Sequence, residues 1–147
     1  MQITCTINGK PHRFECAPDT RVLDLVREAG MTSVKAGCGE GECGACSLFL
    51  NGKIVNACLL LAPQLQGAEI VTLEGLQKET EAIRESFAEH GAVQCGFCTP
   101  GFIMRAYDYL ESGGSRDEAA IEAALDGNLC RCTGYRKIIE AIAKVKP

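Results

Sequence analysis

The sequence predicts an α+β fold, in which a β-sheet domain is followed by a small helical domain. Two Asn-Gly pairs, Asn8-Gly9 and Asn51-Gly52, each separate two short alternating runs, which is the strongest short-range signal for a β-hairpin. From about residue 77 the apolar residues instead recur every three or four positions, as they do in helices. The segment LEGLQKE joins the two parts without any low-complexity linker. We therefore expect two docked domains, residues 1–76 and 77–147.

The first domain is expected to contain five short strands and one helix. The two hairpins supply four strands, and AEIVTLEG supplies the fifth. Between the hairpins, PDTRVLDLVREAG places Val22, Leu25 and Val26 at helical spacing. The predicted helix ends at Gly30, because glycine commonly terminates helices.

The second domain is expected to be a four-helix bundle. Its helices lie in ETEAIRESFAEHG, TPGFIMRAYDYLESGG, SRDEAAIEAALDGN and YRKIIEAIAKVK. The second of them begins with Thr99 as its cap and Pro100 at the first helical position, where a missing N–H does no harm. The third begins with a capping-box pattern from Ser115 to Glu118.

Composition and charge exclude two classes of function. The net charge of −4 argues against a general nucleic-acid binder, which needs clustered Lys and Arg. The longest apolar run, ACLLLA, is far shorter than the ~20 residues of a membrane span. The first residues, MQITCTINGK, lack the charged-then-apolar order of a signal peptide. We therefore expect a cytoplasmic protein.

Ten cysteines among 147 residues are the main chemical feature of the chain. In a reducing cytoplasm they favour metal binding or redox chemistry over disulfides. Eight of them form two sets of four, which we call the N-terminal quartet (Cys38, Cys43, Cys46 and Cys58) and the C-terminal quartet (Cys95, Cys98, Cys130 and Cys132). Four thiolates hold one [2Fe–2S] cluster, two on each iron. The sequence therefore predicts two such clusters, with Cys5 and Cys16 as small apolar residues.

Most of the N-terminal quartet lies in AGCGEGECGAC, residues 36–46, which contains four glycines and no bulky residue. Glycines let a backbone wrap closely around inorganic sulfide and turn its N–H groups toward it. We interpret this loop as the segment that surrounds a cluster.

Three other metal or cofactor sites fit the sequence less well. GEGECG, residues 39–44, matches the dinucleotide pattern G-x-G-x-x-G, but that pattern must follow a strand and open a helix. A Rieske centre needs paired Cys and His ligands, whereas His12 and His90 lie in a hairpin and at a helix end. Structural zinc is the more serious alternative. Its ligands usually come as closely spaced pairs, however, whereas C-x4-C-x2-C resembles the plant-type ferredoxin spacing.

The motifs CGEGECGAC followed by Cys58, and QCGFCTPG followed by NLCRCTGY, resemble the iron–sulfur subunit of the molybdenum hydroxylase (xanthine dehydrogenase) family. The resemblance covers essentially the whole chain. It implies a plant-ferredoxin-like β-grasp domain that carries the N-terminal quartet and a four-helix domain that carries the C-terminal quartet.

The same resemblance implies a function. In such enzymes substrate is hydroxylated at a molybdenum–pterin centre, and electrons then pass through the C-terminal-domain cluster and the N-terminal-domain cluster to a flavin. The chain would be the electron-transfer subunit and would have no catalytic site of its own. Its partners would be a large subunit with molybdopterin, in the cytosine dinucleotide form, and a medium subunit with FAD, in a dimer of heterotrimers.

The resemblance also implies two contacts with the molybdenum cofactor. Gln94 would bond the pterin, and Cys132 would approach its amino group. Two functions of other classes stay open at this point, a free-standing two-cluster ferredoxin and a zinc-stabilised interaction module. The substrate would be set by the molybdenum-bearing subunit.

Overall fold

The computed structural model describes all 147 residues, and its chain forms a five-stranded mixed sheet with one helix, followed by four more helices. The strands are β1 (Gln2–Ile7), β2 (Lys10–Glu15), β3 (Ser47–Leu50), β4 (Lys53–Asn56) and β5 (Glu69–Val71). The helices are α1 (Val22–Glu28), α2 (Glu81–Glu89), α3 (Thr99–Glu111), α4 (Glu118–Ala124) and α5 (Arg136–Ala143). The predicted α+β class is confirmed, with the sheet first and four helices after it.

Both predicted hairpins are present, and each turns at its Asn-Gly pair. The φ angles are 51° and 78° at Asn8 and Gly9, and 49° and 81° at Asn51 and Gly52. Two consecutive positive φ angles define the type I′ turn, whose twist matches that of the flanking strands. The strand order is β2-β1-β5-β3-β4, with β1 and β5 parallel and the other pairs antiparallel. This is the expected β-grasp arrangement.

Strands β3 and β5 are covered on both faces, whereas β1 and β2 leave one face to solvent. Successive residues of a strand point to opposite faces, and in β3 the side chain of Leu48 joins the core beneath α1 while that of Phe49 joins the core of the helices. In β5, Ile70 and Val71 divide in the same way. Phe49 also meets Tyr107 of α3 edge to face, with ring centroids 6.0 Å apart. The two halves therefore dock through the sheet, and the division after residue 76 stays a prediction.

Two predicted helix starts are wrong by one or two residues. Helix α3 begins at Thr99 itself, so that Cys98 occupies the N-cap position. Helix α4 is capped by Asp117, whose carboxylate accepts a hydrogen bond from the N–H of Ala120 at 3.1 Å, and Ser115 lies outside the helix. Asp caps helices as well as Ser does, so Asp117 can fill the position predicted for Ser115. None of the helices has the length and apolar character that crossing a bilayer requires.

Candidate metal centres

The structure gathers the eight predicted cysteines into four pairs of neighbouring thiols. The pairs are Cys38 with Cys43, Cys46 with Cys58, Cys98 with Cys130, and Cys95 with Cys132. Each quartet therefore consists of two pairs. A [2Fe–2S] cluster makes this demand, because each of its two irons takes two thiolates.

The glycine-rich loop presents backbone N–H groups to the thiol of Cys38. Its Sγ accepts from the N–H groups of Glu40 at 3.4 Å, Glu42 at 3.3 Å and Cys43 at 3.4 Å. These hydrogen bonds, chiefly the one from Glu40, lower the pKa of Cys38 to about 7. Glu40 and Glu42 thus contribute main-chain donors, and the loop favours a thiolate.

Glycine is needed at three positions of this loop for its backbone conformation. Gly39, Gly41 and Gly44 have φ angles of 72°, 77° and 70°, which residues with a Cβ rarely adopt. These angles turn the intervening N–H groups toward one side, as in the anion-binding concavities known as nests.

The other pair of the N-terminal quartet lies at the sheet. Cys46 directly precedes β3 and Cys58 follows β4, and both side chains are buried in the core beneath α1. The N–H of Ala57 donates to the carbonyl oxygen of Cys46 at 3.2 Å, which holds the two strand ends together. Burial raises the pKa of Cys46 to about 11. The N-terminal quartet thus extends from an exposed thiol at Cys38 to buried thiols in the core.

The C-terminal quartet lies on two loops of the helical half. Cys95 and Cys132 are exposed, whereas Cys98 and Cys130 are partly buried. Burial raises the pKa of Cys98 to about 12. Burial also acts to raise the pKa of Cys130, but hydrogen bonds from Thr133 outweigh it and the pKa of Cys130 is lowered. The hydroxyl of Thr133 lies 3.1 Å from the Cys130 Sγ, and its N–H lies 3.4 Å away.

The loops of the two quartets touch each other directly. The N–H of Leu129, the residue before Cys130, donates to the carbonyl oxygen of Cys43 at 2.9 Å. The buried side chain of Asn128 donates from Nδ2 to the carbonyl oxygen of Gly44 at 3.4 Å. The quartets are therefore joined through hydrogen bonds between residues next to their thiols.

Two glycines allow this close approach. A Cβ at Gly44 would collide with the side chain of Asn128, and a Cβ at Gly101 of α3 would collide with the carbonyl oxygen of Gly44. The sequence motifs do not identify this junction, because glycines next to cysteines also suit the loop around a cluster. No pattern in the sequence relates Gly101 to Gly44.

The remaining cysteines and Gln94 lie outside the pairs. Cys5 is buried in the core beneath α1 and is paired across the hairpin with His12, and Cys16 packs against the same core. Gln94 directly precedes Cys95, is exposed, and makes no side-chain hydrogen bond within the chain.

The donor set fits a two-iron cluster. A [2Fe–2S] cluster needs two pairs of thiolates, and each quartet supplies them.

Comparison with known proteins agrees with this assignment. Residues 5–73 match the family described as "2Fe-2S iron-sulfur cluster binding domain", and residues 72–143 match the family described as "[2Fe-2S] binding domain". The fold and the thiols therefore belong to a protein with two [2Fe–2S]-binding domains.

Proteins that match almost the full length of this chain identify its class more closely. The chain is 46% identical to the nicotinate dehydrogenase small FeS subunit of Eubacterium barkeri, over 97% of this chain and 92% of that protein. It is 44% identical to the xanthine dehydrogenase iron-sulfur-binding subunit of Escherichia coli O157:H7, with the same coverage of both. A chain in the crystal structure of quinoline 2-oxidoreductase from Pseudomonas putida 86 superposes with a TM-score of 0.91 at 41% identity, covering 98% of this chain and 91% of that chain.

The protein belongs to the small iron–sulfur subunits of the xanthine dehydrogenase, or molybdenum hydroxylase, family. It is a subunit of dehydrogenase or hydroxylase complexes. The resemblance seen in its cysteine motifs is thereby confirmed.

Proposed function

We propose that this chain carries electrons from a molybdopterin centre on a large partner subunit to FAD, or another acceptor, on a second partner subunit. One [2Fe–2S] cluster would be held in residues 1–76 and the other in residues 77–147. Their ligands would be the N-terminal quartet of Cys38, Cys43, Cys46 and Cys58 and the C-terminal quartet of Cys95, Cys98, Cys130 and Cys132. Each bound cluster supplies a carrier for one electron.

The hydrogen bond between the two loops is the observation that carries this proposal. Leu129 is bonded covalently to Cys130 and donates its N–H to the carbonyl oxygen of Cys43. A route from one quartet to the other therefore crosses covalent bonds and a single hydrogen bond.

The end of the route that faces molybdenum would be the C-terminal quartet. Gln94 and Cys132 are both exposed, and Cys132 is paired with Cys95, the residue that follows Gln94. The free amide of Gln94 offers donors and an acceptor together, a pattern that can pair with the edge of a pterin ring. We propose that both residues contact the molybdopterin of the large subunit.

Exposed apolar side chains support the presence of partner subunits. Six large apolar side chains of the chain are exposed, and five of them lie within a few residues of a quartet cysteine: Leu59, Leu61, Val93, Phe97 and Leu129. Exposed apolar surface beside a functional site is a common feature of interaction sites. We propose that the molybdopterin-binding and FAD-binding subunits cover them, in a dimer of heterotrimers. A reducing cytoplasm would keep the ten thiols available.

The proposal is tested by isolating the tagged chain from its native cells. We expect it to co-purify with molybdenum- and FAD-containing subunits and to hold about four irons and four acid-labile sulfides per chain. Dithionite should produce two distinguishable electron paramagnetic resonance (EPR) signals. Stoichiometric zinc in a colourless protein would refute the cluster assignment. Elution of a coloured protein alone, at its own mass of 15.7 kDa, would support the free-standing carrier instead.

A further inference from the structure

A hydroxyl group contacts one of the eight quartet thiols. The Oγ1 of Thr133 lies 3.1 Å from the Sγ of Cys130, within the distance of a hydrogen bond to sulfur. No other side-chain hydroxyl bonds a quartet thiol. The hydrogen bonds to Cys38 all come from backbone N–H groups, which no change of side chain removes.

The surrounding turn fixes the direction of this hydroxyl. The N–H of Tyr135 donates to the Oγ1 of Thr133 at 3.2 Å. The hydroxyl oxygen thus accepts from the main chain, which leaves its hydrogen for the sulfur of Cys130. In turn the phenol oxygen of Tyr135 accepts the N–H of Cys130 at 3.0 Å. Cys130 is therefore fixed at two points, at its sulfur by Thr133 and at its backbone N–H by Tyr135.

The turn is maintained against a conformational cost. Gly134 and Tyr135 have φ angles of 69° and 70°, and a non-glycine residue in this region is strained. Tyr135 packs its ring against Phe102, with centroids 6.3 Å apart, and bonds Cys130. Strain that the surrounding contacts maintain in this way is typical of functional positions.

We infer that Thr133 is a positioning residue that raises the reduction potential of the C-terminal cluster through its hydrogen bond to the sulfur of Cys130. The inference rests on the proposed function, because it takes Cys130 as a cluster ligand. One-electron reduction adds a negative charge to a cluster and its thiolates. A donor aimed at a thiolate stabilises the more negative form, so the potential rises. Because the bond reaches only the C-terminal quartet, it sets one cluster apart from the other.

The test is a potentiometric titration of the purified complex, followed by the EPR signal of each cluster. Thr133→Val removes the hydroxyl at nearly constant shape. It should shift the midpoint of the C-terminal cluster to a more negative potential and leave that of the N-terminal cluster unchanged. Thr133→Ser should restore the wild-type value. Thr133→Ala, which also removes the hydroxyl but adds no methyl group, should give the same shift as Thr133→Val. It shows whether the shift comes from the lost hydroxyl or from the added methyl group of valine.

Thr99→Val is the matched control. Thr99 directly follows Cys98 as Thr133 follows Cys132, but its hydroxyl makes no hydrogen bond to a thiol, so both midpoints should stay at their wild-type values. Unchanged midpoints in the Thr133→Val and Thr133→Ala complexes, with full iron content, would overturn the inference and leave the proposed function standing. An equal shift of both clusters would also overturn it. A wild-type complex without iron would refute the proposed function, and the inference with it.

Discussion

The N–H of Leu129 lies 2.9 Å from the carbonyl oxygen of Cys43, so that a single hydrogen bond separates the main chains of the two cluster loops. Both partners are backbone atoms, and a change of either side chain leaves them in place. The contact is therefore sensitive to the spacing of the elements that carry it, above all to the approach of α3 at Gly101.

Gly101→Ala should weaken the coupling between the two clusters. The added Cβ collides with the carbonyl oxygen of Gly44 and lies 3.2 Å from the Cα of Ala45, so α3 must move away from the loop. Overpacking of this kind costs about 1–3 kcal/mol of stability. With both clusters reduced, we expect a smaller magnetic splitting of their EPR signals. Gly52→Ala is the control, because it strains a positive-φ turn in open space. If that variant lost the splitting equally, general destabilisation would be the cause.

Replacement of the cysteines should separate ligands from core residues. Serine at any one of the eight quartet positions should damage one cluster preferentially, as measured by iron content and by loss of one of the two EPR signals. Cys5→Ser and Cys16→Ala should retain both clusters. Cys5 is buried in the core beneath α1, so its serine variant should lose about 1–3 kcal/mol of stability for a buried polar group but no iron. Iron loss in either of these two variants would contradict the ligand assignment.

Gln94→Leu should keep both clusters and weaken the hold on the molybdenum cofactor. Its amide is exposed and makes no hydrogen bond within the chain. If its partner on the buried cofactor loses this hydrogen bond, the free-energy cost is about 1–3 kcal/mol. Molybdenum and pterin content, and the rate of the first reduction of iron by substrate, measure the effect. Gln2→Leu replaces another exposed glutamine without a side-chain bond, in β1, and should change neither. Full cofactor occupancy and a wild-type rate in Gln94→Leu would show that Gln94 does not hold the cofactor.

Glu74→Gln should destabilise the protein at neutral pH and less so in acid. Burial acts to raise the pKa of Glu74, but hydrogen bonds from Ser33 and Thr72 outweigh it and hold the pKa below its usual value. The ionised carboxylate accepts from the Ser33 N–H at 2.9 Å and from the hydroxyls of Ser33 and Thr72 at 2.5 and 2.6 Å.

A carboxylate whose pKa is lowered on folding adds stability above its unfolded pKa, about 4.3 for Glu, and loses that contribution as the pH falls through the folded pKa. The difference in Tm between wild type and Glu74→Gln should therefore be full at pH 6–7 and shrink below about pH 4.3. Glu69→Gln, an exposed carboxylate without a side-chain hydrogen bond, should show little difference at any pH. A Glu74→Gln difference that grows in acid would show that the sign is wrong.

Local chemistry made most of the fold predictable. Each Asn-Gly pair sets its own turn, and the spacing of the cysteines reflects the demands of a cluster, so both could be inferred from short stretches. The contact between Gly44 and Asn128 could not be inferred from a short stretch. Its partners are 84 positions apart and meet only when α3 and the last loop pack on the sheet. The hydrogen bond from Thr133 to Cys130 is close in sequence, but it depends on a positive φ at Tyr135, which no propensity of tyrosine predicts.

The burial of β3 and β5 on both faces has a consequence for how the protein unfolds. Phe49 and Val71 belong to the core of the helices, and their neighbours Leu48 and Ile70 belong to the core beneath α1. If the helices detached, the strands that position Cys46 and Cys58 would present a bare apolar face to water. Melting should therefore proceed as one cooperative event, in which both chromophores bleach together, and neither half should persist as a partly loaded intermediate.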